Sequence, residues 1–306
     1  SIGLRTFASG LLAGLGPALA LAVNGFMIGG VAGHLQLSGH GDPFWRFVVG
    51  AVALLAAFGR PSLFRRLAAH SPVLLLAGAC MSLSVLAWFL AIARVGAAVA
   101  TLVAVCLPPA LVSLWQVLRG RERLDAALLL WLAVALGGTA LVVARHDTGA
   151  APLVADAWVE GLALTGTAAL LYAVFMLHSG RLSLALGAGP ATTGLTLVAA
   201  AVMGLSALYT PLTWPRDLPP EAWLLYLGLV TAALALLIFS WSARRLSPTA
   251  LTVATLVEPL TAVLLAAWLL GESLGAAQWL GAAMMLVGIG ALGRRDAQRA
   301  AEAARA

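Results

Sequence analysis

Ten runs of apolar residues constrain the fold of this chain more than any other feature. A helix that crosses a bilayer needs about 20 consecutive apolar residues, and these runs are separated only by short breaks rich in Gly, Pro or Arg. Because the runs are continuous rather than alternating, they predict helices and not the strands of a membrane barrel. The predicted spans are residues 6–33, 44–59, 72–93, 96–118, 125–144, 157–180, 190–210, 222–243, 248–270 and 275–293.

The composition agrees with an integral membrane protein. Hydrophobic residues make up 62% of the 306 residues and charged residues only 10%, whereas a soluble domain carries about 25% charged residues. The net charge of +6 comes from arginines in short clusters between the apolar runs. This pattern favours contacts with membrane lipids and a topological role, and it argues against nucleic acid as a partner. Cys80 and Cys106 fall inside apolar runs and are interpreted as packing residues.

The arginines also predict the orientation of the chain. If the N-terminus is cytoplasmic, most arginines lie inside, while Arg94, Arg145 and Arg216 lie outside and Arg46 lies near the outer end of the second span. Since positive charge favours the cytoplasmic side, both termini are predicted to be cytoplasmic, the second as a short tail.

An internal repeat divides the chain into two halves of five helices, 1–147 and 148–306. Residues 94–120 match residues 245–271 at seven of 27 positions without a gap. Because five is odd, the second half must enter the membrane in the opposite orientation. Inverted repeats with matching interrupted helices are typical of transporters. The less common residues among the matches are Arg94/Arg245, Thr101/Thr252, Pro108/Pro259 and Gly120/Gly271.

Three motifs carry a resemblance to a known family: FWRF in the second span, LPPALVSLWQVLRGRERL across the fourth and LVEPLTAVLLAAWLLGESL across the ninth. The chain resembles the drug/metabolite transporter superfamily, and within it the EamA-type ten-helix exporters. The resemblance implies an all-α membrane protein of two inverted five-helix repeats around a central cavity. It also implies export of small metabolites from a bacterial cytoplasmic (inner) membrane. Exporters of amino acids, including aromatic ones, belong to this group.

Three prolines lie at matching depth in the two halves. Pro108, Pro109 and Pro259 lack the amide hydrogen that a helix needs, so each leaves a carbonyl without its usual partner. In hydrocarbon such backbone is tolerated only where it is buried in protein or lines a water-filled cavity. We interpret the three prolines as a hinge in each half beside a central cavity; the alternative is a plain kink that aids packing.

Glu258 is the acidic residue predicted to lie near the centre of the bilayer. A charge at that depth costs roughly 2.5–3.5 kcal/mol on insertion scales. Burial favours the neutral form of a carboxylic acid, so one hypothesis couples Glu258 to proton movement. The other makes it a structural latch that donates a hydrogen bond to a freed carbonyl beside Pro259. The sequence does not choose between them.

Five residues are predicted to line the cavity. Trp88 and Tyr172 can stack on a flat or apolar solute, although ordinary helix packing is the alternative for each. Thr255 and Glu258 belong to a polar stripe on the ninth span. The absence of a predicted mid-membrane arginine disfavours phosphate esters as substrates. The predicted lining residues are Asn24, Trp88, Tyr172, Thr255 and Glu258.

The sequence therefore predicts a secondary exporter, most simply of apolar or aromatic amino acids, that works by alternating access. It needs no cofactor or metal, and a single chain suffices because the repeat supplies the symmetry. Export of amphiphilic or cationic drugs is the alternative within the same class. An intramembrane enzyme is the alternative of a different class. It is disfavoured because the chain has no G-x-S-x-G or H-E-x-x-H motif, and because adjacent residues such as His178 and Ser179 point about 100° apart on a helix.

Overall fold

The computed structural model of the chain describes residues 41–120, 125–143, 155–208, 229 and 274–303. These ranges contain eight α-helices and no β-strand. A short 3-10 turn, Leu205–Leu208, follows the seventh helix. The helices are α1 (Gly41–Phe58), α2 (Pro61–Ala69), α3 (Ser71–Val95), α4 (Ala97–Leu118), α5 (Ala126–Val143), α6 (Ala155–Leu186), α7 (Ala188–Gly204) and α8 (Ala276–Ala303).

Seven of the predicted spans fall on these helices, namely the second to the seventh and the tenth. By length and apolar character, four described helices can cross a bilayer, or five if α1 and α2 are counted as one bent span. Helices α5 and α7 are shorter but also apolar. The described part of the chain is therefore an all-helical integral membrane protein. The predicted spans 6–33, 222–243 (apart from residue 229) and 248–270 lie outside the described residues.

Helix α2 occupies a segment that we predicted to be a break between spans. Pro61 is its first residue, a position where the missing amide hydrogen costs nothing. Leu63 and Leu67 lie one turn apart and are 3% and 7% exposed, so one face of α2 is anchored in the protein core. Helices α1 and α2 meet at an angle of 116°. The chain therefore turns sharply at Gly59 and runs across the bundle for nine residues.

Two other helices extend past the predicted ends of their spans. Helix α6 continues to Leu186 and α8 continues to Ala303, beyond the predicted ends at 180 and 293. Both extensions contain arginines, Arg181 and Arg294, that are exposed. A charged residue marks the end of an apolar run in the sequence. It does not end the helix, because the backbone hydrogen bonds continue after the helix leaves the hydrocarbon.

Helices α3 and α6 pack antiparallel along much of their length. Ser84 on α3 donates a hydrogen bond of 2.8 Å to the carbonyl oxygen of Ala168 on α6. Nearer the end of α3, Arg94 pairs with Glu160, which lies near the beginning of α6. Gly96 alone separates α3 from α4, and its φ of 83° is a backbone conformation that favours glycine. Because the turn is so short, α4 returns beside α3. It also packs on α6.

Helices α5 and α8 approach each other closely at a pair of glycines. A Cβ atom placed on Gly138 would lie 2.6 Å from the carbonyl oxygen of Gly281, and one on Gly281 would lie 2.6 Å from that of Gly138. Gln278 adds a buried hydrogen bond of 3.1 Å from its side-chain amide to the carbonyl oxygen of Val142. Glycines at such a crossing allow van der Waals contact between backbones, which drives helix association in lipid.

We predict that Gly138→Ala destabilises the protein by about 1–3 kcal/mol, because the new methyl group meets backbone atoms that cannot rotate away. Thermal unfolding of the purified protein in detergent micelles measures the change. Gly166→Ala is the matched control, since a Cβ there meets nothing within 4 Å, and it should leave stability unchanged or slightly raised. Equal effects of the two substitutions would contradict the packing described for α5 and α8.

Candidate functional site

The described helices carry four of the residues predicted for the site and hinge. Trp88 lies on α3, Tyr172 on α6, and Pro108 and Pro109 on α4. Since α3, α4 and α6 all pack on one another, these residues belong to one three-helix unit. The other predicted residues, Asn24, Thr255, Glu258 and Pro259, lie outside the described residues, and their roles stay predictions.

Trp88 lies where α3, α4 and α6 meet. Its indole Nε1 donates a hydrogen bond of 3.2 Å to the hydroxyl oxygen of Thr101 on α4. The ring packs against a small cluster of buried alanines, Ala87, Ala104 and Ala168, together with Leu164. The polar edge of the indole is therefore satisfied within the protein, and its remaining surface is an apolar, polarisable face suited to stacking.

Tyr172 belongs to a different cluster. Its ring centroid lies 5.5 Å from that of Phe175, with the two planes tilted by 37°. Because α3 and α6 are antiparallel and Ser84 bonds to Ala168, Trp88 and Tyr172 lie on opposite sides of that contact. The rise of an α-helix separates them by about 12 Å along the bundle axis. A single aromatic ring therefore does not touch both side chains in this conformation.

Helix α4 passes through Pro108 and Pro109 without a break. It is one continuous helix from Ala97 to Leu118, whereas we expected an interruption at this depth. The two prolines still remove the amide donors that the carbonyl oxygens of Ala104 and Val105 would otherwise receive. Packing on α3, α5 and α6 holds the axis of α4 continuous in this conformation. The hinge role of these prolines stays a prediction.

Several buried hydroxyl groups bond to their own helices. Thr165 donates to the carbonyl oxygen of Gly161 at 2.7 Å, and Thr193 to that of Gly189 at 2.8 Å. Such bonds to the preceding turn are the usual way a threonine is accommodated within a helix. Thr101 differs because its oxygen accepts a hydrogen bond from a neighbouring helix. Our sequence-based site omitted Thr101, although its match to Thr252 in the repeat singled it out.

His178 and Ser179, the adjacent pair considered for catalysis, do not act together in the structure. The Nδ1 atom of His178 lies 2.8 Å from the carbonyl oxygen of Val174. The hydroxyl of Ser179 donates to the carbonyl oxygen of Met176 at 3.3 Å. Each side chain is thus bonded to its own helix, as expected from the angle between adjacent helical positions.

Among the described residues, two ion pairs link the predicted halves at opposite ends of the bundle. Arg94 at the end of α3 pairs with Glu160 on α6 at 2.9 Å. At the other end, Arg295 on α8 pairs with Asp125 at 2.7 Å. Asp125 also accepts a hydrogen bond of 2.7 Å from the backbone amide of Leu128 and so caps the beginning of α5. The Arg295 side chain is only 10% exposed, so this pair is the better shielded of the two.

Comparison with known proteins supports a membrane transporter. Residues 159–294 match the EamA-like transporter family. The chain is 29% identical over 243 residues to YwfM of Bacillus subtilis (strain 168), an uncharacterized transporter. The aligned region covers 71% of this chain and 72% of that protein. A protein of known crystal structure superposes with a TM-score of 0.65 over 95% of this chain and 99% of that chain, at 21% identity. This last likeness concerns the fold alone.

We predict that Thr101→Val destabilises the protein by about 1–3 kcal/mol, because the indole N–H of Trp88 loses its acceptor in an apolar environment. Thr101→Ser keeps the hydroxyl and should cost clearly less. In the double variant Trp88→Phe/Thr101→Val, the loss should be smaller than the sum of the single losses, since neither polar group remains. Chemical unfolding in mixed micelles measures the wild type and four variants: Thr101→Val, Thr101→Ser, Trp88→Phe and the double variant. Strict additivity would contradict the Trp88–Thr101 interaction.

Proposed function

We propose that this protein is a secondary transporter that exports small metabolites by alternating access, with apolar and aromatic amino acids as its substrates. The observation that carries the proposal is the match of residues 159–294 to the EamA-like transporter family. That segment includes α7 and α8 and most of α6. These are the helices that pack against α1, α3, α4 and α5.

The helix pairing supports an inverted repeat with halves 1–147 and 148–306. The shift of 151 residues that takes Arg94 to Arg245 also takes α1 onto α7 and α5 onto α8. In the structure these counterpart helices pack against each other. Helices α1 and α7 are antiparallel, since Gly189 faces Phe58 while Gly204 faces Phe44, at the other end of α1. Helices α5 and α8 are antiparallel as well, since Gly281 faces Gly138 while Gly288 faces the earlier residue Ala135. Packing of counterparts in opposite directions is expected when a pseudo-twofold axis lies in the membrane plane between the halves.

The surroundings of Trp88 support an uncharged or zwitterionic substrate. The indole packs on a cluster of buried alanines and bonds to the Thr101 hydroxyl, and none of these groups carries charge. A phosphate ester would require several arginines or lysines. An amino acid with an apolar side chain needs only an apolar wall and a few polar groups to hold its ionised ends. Asn24, Thr255 and Glu258 remain our candidates for those polar groups.

The two inter-half ion pairs, both formed in this conformation, are contacts that alternating access would break in turn. Arg94–Glu160 and Asp125–Arg295 lie at opposite ends of the bundle, and each joins one predicted half to the other. If the halves rock about a central site, the contacts at one end must loosen while those at the other end close. If Glu258 gains and loses a proton during transport, protons are the coupling ion. If Glu258 is a structural latch, transport is driven by the concentration gradient of the substrate itself. A monomer is sufficient for either mechanism.

Counterflow in proteoliposomes tests the proposed substrate class. We predict that vesicles preloaded with an unlabelled apolar or aromatic amino acid accumulate the same labelled amino acid, without a pH gradient, and that vesicles lacking the protein do not. Trp88→Ala should reduce this exchange by about tenfold through loss of a stacking surface. Val52→Ala is the control, since Val52 is 62% exposed on α1. If no amino acid exchanges, the proposed substrate class is wrong, and amphiphilic cations become the next substrates to test.

The hinge proposal has its own test. We predict that Pro108→Ala/Pro109→Ala slows exchange by about tenfold, because the restored amides bond to the carbonyl oxygens of Ala104 and Val105 and stiffen α4. Initial rates of counterflow measure the effect, and thermal unfolding shows that the variant remains folded. Pro61→Ala, at the first position of α2, is the matched control and should exchange at the wild-type rate. Unchanged exchange by the double variant would remove the hinge from the mechanism.

A further inference from the structure

We propose that α2 and the neighbouring end of α6 form a binding site for the headgroup of an anionic phospholipid. The site lies at the surface of the bundle, away from the Trp88 region. The inference does not depend on what the protein transports.

The direction of α2 places it at headgroup depth. Helix α1 is apolar and belongs to a segment that can cross the membrane. The axis of α2 turns by 116° from that of α1. With α1 along the membrane normal, we infer that α2 runs closer to the membrane plane than to the normal. A short helix that leaves the end of a span in this direction lies between the hydrocarbon and the water, where lipid phosphates are located.

The two faces of α2 differ in the way that an interfacial helix requires. Leu63 and Leu67 are buried against the bundle. Phe64, which is 55% exposed, lies at the side of α2, about a quarter turn from the buried leucines, and the exposed arginine Arg65 points away from them. Arg60, which immediately precedes the helix, is also exposed. An exposed aromatic ring between arginines can enter the acyl boundary while the guanidinium groups remain at the phosphates.

A hydrogen bond from Arg66 completes the site by fixing α2 to the end of α6. The guanidinium of Arg66 donates to the carbonyl oxygen of Leu186 at 2.9 Å, so Arg66 is used to position the helix. This contact brings the last turns of α6 beside α2. They carry Arg181, which is exposed, and Leu184, which is 82% exposed. The end of α6 thus presents an exposed arginine and an exposed apolar side chain, the same combination that is found on α2.

The charge at this corner has no acidic counterpart on the elements that build it. The sequence contains no Asp or Glu between residues 43 and 121 or between residues 161 and 216. Within the described ranges, Arg60, Arg65 and Arg181 form no ion pair and no side-chain hydrogen bond. A phosphodiester at the membrane surface supplies the missing negative charge, and its acyl chains cover Phe64 and Leu184. Inorganic phosphate would satisfy the arginines but would leave both apolar side chains in water.

Lipid binding to the full-length protein in mixed micelles tests the proposal. Phosphatidylglycerol and phosphatidylcholine serve as probes, and retained lipid is counted by native mass spectrometry. We predict that the wild-type protein retains phosphatidylglycerol preferentially. Arg60→Gln/Arg65→Gln should weaken this binding by about tenfold, since each basic group near a membrane surface adds attraction for an anionic lipid. Arg119→Gln/Arg294→Gln removes the same charge elsewhere and should change binding less than twofold.

A second measurement locates the lipid. Cys80 and Cys106 are buried, so Ser62→Cys provides an exposed site on α2 for a fluorescent label. In vesicles, brominated phosphatidylglycerol should quench the label more strongly than brominated phosphatidylcholine, and Arg60→Gln/Arg65→Gln should abolish the difference. Equal quenching by the two lipids in the unaltered background would overturn the proposal. Equal loss of binding in both arginine pairs would also overturn it, and so would displacement of the lipid by soluble glycerol phosphate at comparable concentration.

Discussion

The arrangement of the helices depends on glycines whose Cα atoms face a neighbouring helix. In lipid there is no hydrophobic force between apolar helices, so their association relies on close van der Waals contact. A Cβ atom on Gly161 would lie 2.5 Å from Val95, and one on Gly78 would lie 2.6 Å from Val198. With the Gly138–Gly281 contact, these positions bring α3 against α6 and α7, and α5 against α8. The meeting point of α3, α4 and α6 at Trp88 follows from that packing.

The sequence predicted most described helices because span length is set by the bilayer and not by the details of packing. The same criterion missed α2. Its nine residues lie in a break that contains three arginines, and its helical form is stabilised by the burial of Leu63 and Leu67, which only the folded bundle provides. The helices of the sixth and tenth spans also continue past the predicted ends of those spans. A helix that leaves the hydrocarbon is free to continue among charged residues, as α6 and α8 do.

The role of the candidate site stays a prediction, but the structure shows where its described residues lie. Trp88, a large side chain at mid-span, lies where three helices meet. Its partner Thr101 was not predicted, because the hydrogen bond depends on the register of α4 against α3 after the turn at Gly96. The distance between Trp88 and Tyr172 likewise follows from the antiparallel register fixed by Ser84 and Ala168. Pro108 and Pro109 weaken α4 locally, but tertiary packing keeps it continuous. The repeat partner of that segment, with Pro259 and Glu258, lies outside the described residues.

Alternating access requires the two ends of the bundle to move in opposite senses. Distances between spin labels at the two ends measure this movement most directly. One pair of labels replaces Ala93 and Val159, exposed on α3 and α6 near the Arg94–Glu160 pair; the other replaces Leu118 and Leu184, exposed on α4 and α6 at the opposite end. The buried native cysteines are first replaced by alanine. The account predicts that adding a transported substrate shifts the two distance distributions in opposite directions, one end closing as the other opens. Distances that stay fixed at both ends while the protein exchanges substrate would contradict it.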